Sequence, residues 1–228
     1  MSDLLDCVII EPTAPHSGTV LWLHGLGASG HDFEPVAPWL RRPDLRFVFP
    51  HAPQRPVTIN QGWVMPAWYD IKTLAPGPGR EDPADIAEAT GMIEGLLARE
   101  VAALAAAGVS EPTARVALLG FSQGAAMSLH VGLRHGERLA GIGVLSGYLL
   151  LEDTIETEAS DANTKTSVFF GHGARDGVVR VARGREAHGR VGALGHPTVW
   201  VERPRMQHEV DAEEIAALGT WLSEVLPA

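Results

Sequence analysis

Short apolar runs alternate along the chain with longer segments in which apolar residues recur at helical spacing. Seven of the apolar runs predict strands, at residues 4–10, 19–23, 45–49, 116–119, 142–145, 168–170 and 198–201. Helical spacing predicts helices at residues 85–107, 181–194 and 211–225, with a further helix of small residues after Gly124. Strands that alternate with helices form a mostly parallel sheet with helices on both faces, which predicts an α/β fold.

The connections between these elements are less regular. Residues 4–10 and 19–23 are separated by prolines and a glycine, which predicts two strands joined by a turn. Residues 32–40 predict a short helix broken by two prolines, and residues 149–166 form a polar, acidic loop with little pattern. Because neither a repeat nor a linker interrupts the alternation, we expect residues 1–228 to form a single domain.

A long irregular segment at residues 50–80 is rich in proline, glycine and aromatic residues. A loop of this length inside a compact domain is usually functional, and large apolar side chains on a loop suit the wall of a pocket. We therefore expect Trp63, Met65 and Trp68 to contact a bound substrate. The alternative is that these side chains only cover the core.

The composition narrows the classes of protein to which the chain can belong. Its net charge of −10, without a cluster of Lys or Arg, argues against a nucleic acid or an anionic membrane as partner. No apolar segment reaches the roughly 18 residues of a membrane span, and the N-terminus lacks the basic residues of a secretory signal. We expect a cytoplasmic protein without stable membrane insertion. The single cysteine, Cys7, excludes an internal disulfide, and its apolar neighbours favour a buried strand residue over a reactive thiol.

The apolar run at residues 116–119 leads into the pattern G-F-S-Q-G at residues 120–124 and then into a helix. G-x-S-x-G between a strand and a helix is the nucleophile elbow, a sharp turn that exposes the serine and needs glycines where neighbouring backbone passes. The Ser122 hydroxyl then stands at a helix N-terminus, where N–H groups favour an oxyanion. The alternative is a helix-capping serine. The strand and helix on either side favour a nucleophile.

A glycine-rich stretch at residues 24–30 follows the predicted strand 19–23 and matches G-x-G-x-x-G, a pattern of dinucleotide-binding sites. Such a site also needs an acidic residue about 20 positions further on, at the end of the next strand, and residues 50–53 contain none. The alternative is the H-G-G-G-type loop of esterases, which supplies an oxyanion N–H. Residues 24–27, H-G-L-G, look like a variant of it, and His24 is expected to be structural.

The general base follows both the nucleophile and the acid in chain order if the arrangement is that of α/β-hydrolases. Of the ten histidines, this order leaves four, His172, His188, His196 and His208. His188 sits within a helical pattern and His196 in a Gly-Pro turn, so both are expected on the solvated surface. His172 precedes the acid candidate. His208 follows the last predicted strand, from which its imidazole can reach the elbow, and it is the predicted base.

Three aspartates are candidates for the acid. Asp153 and Asp161 lie in the unpatterned polar loop and are expected to be solvated charges. Asp176 follows a strand in a glycine-flanked turn, a position from which it can hold His208 in one tautomer and stabilise the imidazolium. A metal site is the rival use of His and Asp, but no H-E-x-x-H or comparable spacing occurs. We expect neither a metal nor a cofactor.

With these residues in place, the chain resembles the carboxylesterase and acyl-protein thioesterase family of small α/β-hydrolases. The resemblance covers almost the whole chain and is carried by residues 23–27, 50–53, 65–70, 120–124, 172–179 and 208–210. The glutamine after the nucleophile and the M-P-x-W-Y-D pattern separate this family from most lipases. Two positions depart from the family pattern. Gln207 stands where a glycine usually precedes the histidine, and Ala67 replaces a common serine.

The resemblance implies an α/β-hydrolase fold without a large lid domain, and it assigns the site residue by residue. Ser122 is the implied nucleophile, Asp176 the acid and His208 the base, and the N–H groups of Leu26 and Gln123 form the implied oxyanion hole. The open acyl groove of the family suits a small-molecule ester.

The implied activity is that of a serine carboxylesterase, a carboxylic ester hydrolase that cleaves short- to medium-chain esters through an acyl-enzyme intermediate. Acyl-protein thioesterase or lysophospholipase activity is the alternative within the family. The related dienelactone hydrolases use a cysteine nucleophile, and Ser122 speaks against that branch. A non-catalytic binding protein of the same fold is expected to have lost a triad member, whereas all three are present. The sequence does not decide the oligomeric state, and a homodimer is one alternative.

Overall fold

The computed structural model describes residues 4–73, 75 and 79–227. Residues 74 and 76–78, which belong to the irregular segment predicted at 50–80, lie outside the described residues. Within the described part, the alternation of strands and helices builds a central sheet flanked by helices. The predicted α/β fold is therefore confirmed.

The central sheet has seven strands, and a two-stranded hairpin lies beside it. The strands are β1 Cys7–Ile10, β2 Gly18–Leu23, β3 Leu45–Pro50, β4 Gln54–Val57, β5 Trp63–Pro66, β6 Val116–Phe121, β7 Gly141–Leu145, β8 Ser167–Gly173 and β9 Thr198–Arg203. The order across the sheet is β1-β3-β2-β6-β7-β8-β9, and every neighbouring pair is parallel except β1 with β3. The hairpin consists of β4 and β5.

The turn predicted after the first strand joins two strands that do not pair with each other. β1 pairs with β3 in antiparallel register, Cys7 opposite Pro50, while β2 lies on the other side of β3. The N–H groups of Thr13 and Ala14 both donate to the carbonyl of Pro43, just before β3. The segment between β1 and β2 therefore crosses the end of β3, so β1 and β2 do not form a hairpin with each other.

The described residues form five α-helices. The first and the last of them, Pro83–Ala106 and Ala212–Val225, each follow an aspartate whose side chain caps the helix N-terminus. The Asp82 carboxylate accepts from the N–H groups of Ala84 and Asp85, and Asp211 accepts from the N–H of Glu214. No helix in the described ranges is both long and apolar enough to cross a membrane. The helices are α1 Pro83–Ala106, α2 Gln123–Arg134, α3 Ile155–Glu158, α4 Val181–Ala193 and α5 Ala212–Val225.

Helices α1, α2 and α4 pack on one face of the central sheet, and α5 packs on the other. Strand β6 contributes to both layers: Val116 and Leu118 face α1 and α2, whereas Ala117 and Leu119 face the α5 side. Burial on both faces explains why the central strands are uninterrupted apolar runs. The carboxyl ends of the parallel strands then meet at one edge of the sheet, where ligand sites of such folds lie.

The irregular segments contain more structure than the sequence pattern predicts. The segment at residues 50–80 forms the β4–β5 hairpin, whose signal is masked by prolines that a two-stranded ribbon tolerates on its open edges. The helix predicted at 32–40 is reduced to one 3₁₀ turn at Ala37–Leu40. The polar loop at 149–166 contains 3₁₀ turns and the one-turn helix α3.

Cys7 is half-buried, because β1 is the edge strand of the sheet. Its thiol lies 3.2 Å from the Leu5 carbonyl and 3.6 Å from the Arg99 guanidinium. Burial raises the pKa of the thiol, although Arg99 opposes the shift. A raised pKa keeps the sulfur in its less nucleophilic form, in agreement with a structural cysteine.

Glu214 is a fully buried carboxyl group on α5 whose two oxygens find no hydrogen-bond donor among the described residues. A Cβ atom at position 171 would overlap this carboxyl group, so Gly171 of β8 makes room for it. Burial raises the pKa of Glu214 to about 8, with the negative charge of Asp211 adding to the shift and Arg203 opposing it. The protonated form is therefore the one that the folded protein accommodates.

We expect Glu214 to contribute a loss of stability as the pH rises from about 5 to about 8, and Glu214→Gln to remove that contribution, so that the stability of the variant rises more, or falls less, with pH than that of wild type. The folded state retains the proton up to about pH 8, whereas the unfolded chain releases it near its ordinary value of 4.5. Through Glu214 alone, each pH unit between these limits lowers the free energy of unfolding by up to about 1.4 kcal/mol. Urea unfolding at several pH values measures the slope. Glu224→Gln, at an exposed position of the same helix, is the control, and equal slopes for wild type and Glu214→Gln would contradict the assignment.

Candidate active site

Ser122 occupies the sharp turn between β6 and α2. Its backbone has φ 55° and ψ −118°, a conformation that side chains rarely adopt and that costs about 1–3 kcal/mol. Both flanking glycines are required sterically. A Cβ atom at position 124 would overlap the carbonyl oxygens of Leu23 and His24, and one at Gly120 would overlap the backbone of Gly124. The turn predicted from G-F-S-Q-G therefore forms as the sequence indicates, and it holds the serine hydroxyl at the edge of a cleft.

His208 and Asp176 complete a continuous hydrogen-bonded relay with Ser122. The Ser122 Oγ lies 2.9 Å from His208 Nε2, and His208 Nδ1 lies 2.7 Å from Asp176 Oδ2. A carboxylate can only accept, so Nδ1 carries the proton and Nε2 is free to accept the serine proton. Three residues separated by up to 86 positions in the chain are thus brought together at the ends of β6, β8 and β9.

Asp176 is held as an ionised carboxylate. Its Oδ1 accepts from the N–H groups of Val178 and Val179, each at 2.8 Å, and its Oδ2 faces both His208 and, at 3.5 Å, His172. Burial acts to raise the pKa of Asp176, but the hydrogen bonds from His172, His208 and the Val178 N–H outweigh it. The pKa of Asp176 therefore lies well below its ordinary value. A permanent negative charge at this point favours the imidazolium form of His208 when a proton is transferred.

The N–H groups of Leu26 and Gln123 border the same cleft as the Ser122 hydroxyl. Within the described ranges neither N–H donates a hydrogen bond to another residue. Gln123 is the first residue of α2, so its N–H also carries the positive end of the helix dipole. Two free backbone donors beside a nucleophile are what an oxyanion hole requires.

The Gln123 side chain ties the elbow to the segment at residues 65–70. Its Oε1 accepts from the Trp68 N–H at 2.8 Å, and its Nε2 donates to the Tyr69 carbonyl at 2.7 Å. The Trp68 indole N–H donates to the His24 carbonyl at 2.9 Å, which fastens the glycine-rich loop as well. The two motifs that the sequence analysis grouped by resemblance are therefore parts of one hydrogen-bonded unit around Ser122.

His24 fixes the glycine-rich loop, as predicted. Its Nε2 accepts from the Ala52 N–H at 3.0 Å, so the proton is on Nδ1, which donates to the Gly25 carbonyl at 2.7 Å. Burial lowers the pKa of His24, which keeps this neutral tautomer. Both of its nitrogens are occupied, and His24 is unsuited to act as a base.

The cleft above Ser122 has a volume of about 260 Å³. Most of its walls are apolar, and they come from loops that follow strands as well as from the segment before α1. Besides Ser122, Gln123, His208 and Leu26, the lining residues are Gly25, Ala28, Asp32, Ile59, Ile71, Arg80, Phe121, Tyr148, Val178 and Val179.

The structure places none of the three predicted pocket residues in this lining. Trp68 is completely buried beneath the loop, and Trp63 is 73% exposed on the β4–β5 hairpin. The Met65 sulfur accepts a contact from the Asn60 amide at 3.2 Å and packs near Gly27. The segment at 50–80 does contribute to the wall, but through Ile59, Ile71 and Arg80 in place of the three predicted residues.

The remaining candidates are excluded by position. Asp153 and Asp161 are exposed, as predicted. His188 is half-buried against the Phe170 ring. His196 is 94% buried, and its Nδ1 lies 3.4 Å from the Thr166 carbonyl oxygen. The expectation that both histidines are solvated is therefore corrected: His188 packs against the Phe170 and Trp200 rings, His196 is buried, and neither belongs to the relay.

The fold and the relay together define an α/β-hydrolase with a Ser-His-Asp site and, within the described residues, without an inserted lid domain. Residues 5–226 match the sequence model of the phospholipase/carboxylesterase family. The chain belongs to this family, and the predicted class of enzyme, a carboxylic ester hydrolase, is confirmed.

Similar proteins support the same placement. The chain is 37% identical over 223 residues to acyl-protein thioesterase 1 of Yarrowia lipolytica, covering 95% of this chain and 96% of that one. It is 32% identical to a probable carboxylesterase of Oryza sativa, covering 99% of this chain and 84% of that one. Among solved structures, SOBER1 of Arabidopsis thaliana superposes with a TM-score of 0.83 at 28% identity, covering 92% of this chain and 99% of that one.

Proposed function

We propose that this protein is a serine carboxylesterase that hydrolyses short- to medium-chain carboxylic esters of small molecules through an acyl-enzyme. The observation that carries the proposal is the unbroken relay from Ser122 Oγ through His208 to Asp176, at 2.9 and 2.7 Å. Ser122 Oγ attacks the ester carbonyl carbon while His208 Nε2 takes the hydroxyl proton. The N–H groups of Leu26 and Gln123 stabilise the negative oxygen of the tetrahedral intermediate.

The intermediate collapses when the bond between the carbonyl carbon and the alcohol oxygen breaks. His208 gives its proton to the departing alcohol, and the acyl group remains on Ser122. A water molecule then attacks the acyl carbon, His208 removes a proton from it, and the acid product leaves with Ser122 Oγ reprotonated. Asp176 stays ionised throughout and keeps the His208 proton on Nδ1 between steps.

The proposal is tested by hydrolysis of a series of p-nitrophenyl esters from acetate to octanoate. We expect turnover that saturates with substrate and a preference within the short to medium range, since a cleft of about 260 Å³ holds a small acyl group. Absence of turnover for every member of the series would contradict the proposal and favour the different-class alternative, a non-catalytic binding protein of this fold.

Thioester cleavage is the second candidate function, because several similar proteins are named acyl-protein thioesterase 1. The relay attacks an acyl carbon in the same way whether the leaving atom is oxygen or sulfur. Comparison of kcat/KM for p-nitrophenyl octanoate and S-octanoyl thiocholine separates the two functions. A large advantage for the thioester would make thioesterase activity the better description.

We expect kcat/KM to fall in acid with the slope of a single titration, because His208 has to be neutral to accept the serine proton. The pKa of Asp176 lies well below its ordinary value, so this carboxylate stays ionised over the same range and adds no second step. A pH–rate profile from pH 5 to pH 8, with and without a chelator, measures both points. A flat profile, or activity lost on chelation, would contradict the mechanism.

A further inference from the structure

Arg80 places a guanidinium in the wall of the cleft that holds Ser122. The residue is 91% buried, and its position is fixed by the backbone: the Lys72 N–H donates to the Arg80 carbonyl at 2.7 Å, and Ile71 pairs with Glu81. Arg80 also borders a second pocket of about 430 Å³, so it lies in the partition between the two. The proposed ester hydrolysis assigns no role to this cation.

The charge of Arg80 is only partly compensated. Its Nε lies 3.2 Å from Glu81 Oε1, yet neither atom has a hydrogen-bond partner of good geometry among the described residues. Arg183 Nη2 lies 3.8 Å from the same oxygen. Two guanidinium groups thus share a single carboxylate, which leaves one net positive charge in this cluster of an otherwise acidic protein.

Tyr148 packs against both cations and supplies no negative charge. The Arg183 Cζ lies 3.6 Å from the centre of its ring, and the Arg80 Cζ lies 5.5 Å from it. The hydroxyl bonds to the Tyr69 hydroxyl at 2.7 Å, and burial raises the pKa of Tyr148 to about 12, so the phenol is neutral at physiological pH. Arg183 lines the second pocket but not the cleft, whereas Arg80 lines both.

The two sides of Arg80 differ in charge. The second pocket is also lined by Glu152, Asp153 and Glu186, which repel an anion. Among the described residues that line the cleft, Asp32 is the one carboxylate. Its Oδ1 accepts a hydrogen bond from the Ser29 N–H at 3.2 Å. An anionic group is therefore favoured on the cleft side of Arg80.

We propose that Arg80 determines specificity by binding a carboxylate on the substrate, so that the preferred esters are those that carry a negative charge near the scissile bond. This inference rests on the proposed esterase function and names its substrate class. A guanidinium in a partly dehydrated wall binds a carboxylate by charge-assisted hydrogen bonds, and an uncharged ester of the same length leaves those donors unpaired. The carboxylate can belong to the acyl group or to the alcohol, and the experiment distinguishes these sources.

The test compares matched charged and neutral substrates at constant ionic strength. For the acyl side, the pair is mono-p-nitrophenyl adipate and p-nitrophenyl hexanoate; for the alcohol side, it is p-carboxyphenyl butyrate and p-carbamoylphenyl butyrate. The measured quantity is the ratio of kcat/KM, charged over neutral, within each pair. We expect wild type to favour the charged member of one pair, and Arg80→Gln to lower that ratio about 10- to 100-fold, the range of a hydrogen bond to a charged group. Arg80→Lys is expected to restore part of the ratio.

Arg183→Gln is the matched control, because it removes a guanidinium from the same Glu81 without lining the cleft. It should lower the ratio much less than Arg80→Gln does, because Arg80 still lines the cleft, although Glu81 then compensates its charge more fully. A ratio that is the same in wild type and Arg80→Gln for both pairs, or one that depends on Arg183 and not on Arg80, would overturn the inference. The neutral substrates test the proposed esterase function separately. If wild type hydrolyses them but Arg80→Gln does not change the charged-to-neutral ratio, the esterase function stands and the inference about Arg80 fails. If no substrate is hydrolysed, both proposals fail.

Discussion

Replacement of Ser122 by alanine is expected to lower kcat for p-nitrophenyl butyrate by at least about 10⁴-fold. The variant keeps the cleft, the free N–H groups of Leu26 and Gln123 and the His208–Asp176 pair, but it lacks the atom that forms the acyl-enzyme. Relief of the positive φ is not expected, because alanine meets the same steric limits in the turn. Steady-state kinetics together with circular dichroism of the purified variant measure the effect on a folded protein.

Ser128→Ala is the matched control for this experiment. Ser128 lies six residues after Ser122 on α2 and is completely buried, and its hydroxyl has no hydrogen-bond partner among the described residues. It should retain near-normal kcat. If Ser122→Ala kept most of the activity while remaining folded, the nucleophile would have to be sought elsewhere.

Asp176→Asn is expected to lower kcat by roughly two to four orders of magnitude while KM changes little. An amide can bond to the His208 ring, but its NH₂ group favours the tautomer that has the proton on Nε2, where the serine proton has to be accepted. It also leaves the imidazolium without a negative partner. The N–H groups of Val178 and Val179 can still donate to the amide oxygen, so the turn is expected to keep its shape.

The controls for Asp176 are Asp153→Asn and Asp161→Asn. Both residues are exposed, and neither belongs to the relay, so each variant should retain wild-type kinetics. A near-normal kcat for Asp176→Asn combined with loss of activity in one of the controls would show that the acid was assigned to the wrong residue.

The parts of the site that the sequence predicts are those in which backbone geometry restricts residue type. The turn at Ser122 needs glycines where Leu23 and His24 approach, and those glycines are visible as a motif. Asp176 and His208 follow strands directly, and in a parallel sheet the strand ends converge. Their spatial meeting could therefore be predicted from chain order and element boundaries alone.

The cleft walls follow from contacts that no local pattern encodes. Trp63 and Trp68 are both tryptophans of the same irregular segment, and the sequence gives no reason to treat them differently. Trp63 is exposed on the hairpin, whereas Trp68 is buried beneath the elbow, where it bonds to the Gln123 side chain and the His24 carbonyl. Tyr148 and Arg80 are brought together from segments on opposite sides of the elbow in the chain. Contacts between residues so far apart in the chain depend on tertiary packing. The triad residues can therefore be predicted from the sequence more easily than the residues that line the cleft.

The measurement that tests the central claim most directly is mass spectrometry of the protein after reaction with a fluorophosphonate, which phosphonylates an activated serine. The account predicts a single adduct on the peptide that contains Ser122, formed at a rate that falls in Asp176→Asn, together with complete loss of ester hydrolysis in the labelled protein. An adduct on another residue, or full ester hydrolysis after Ser122 has been labelled, would contradict it.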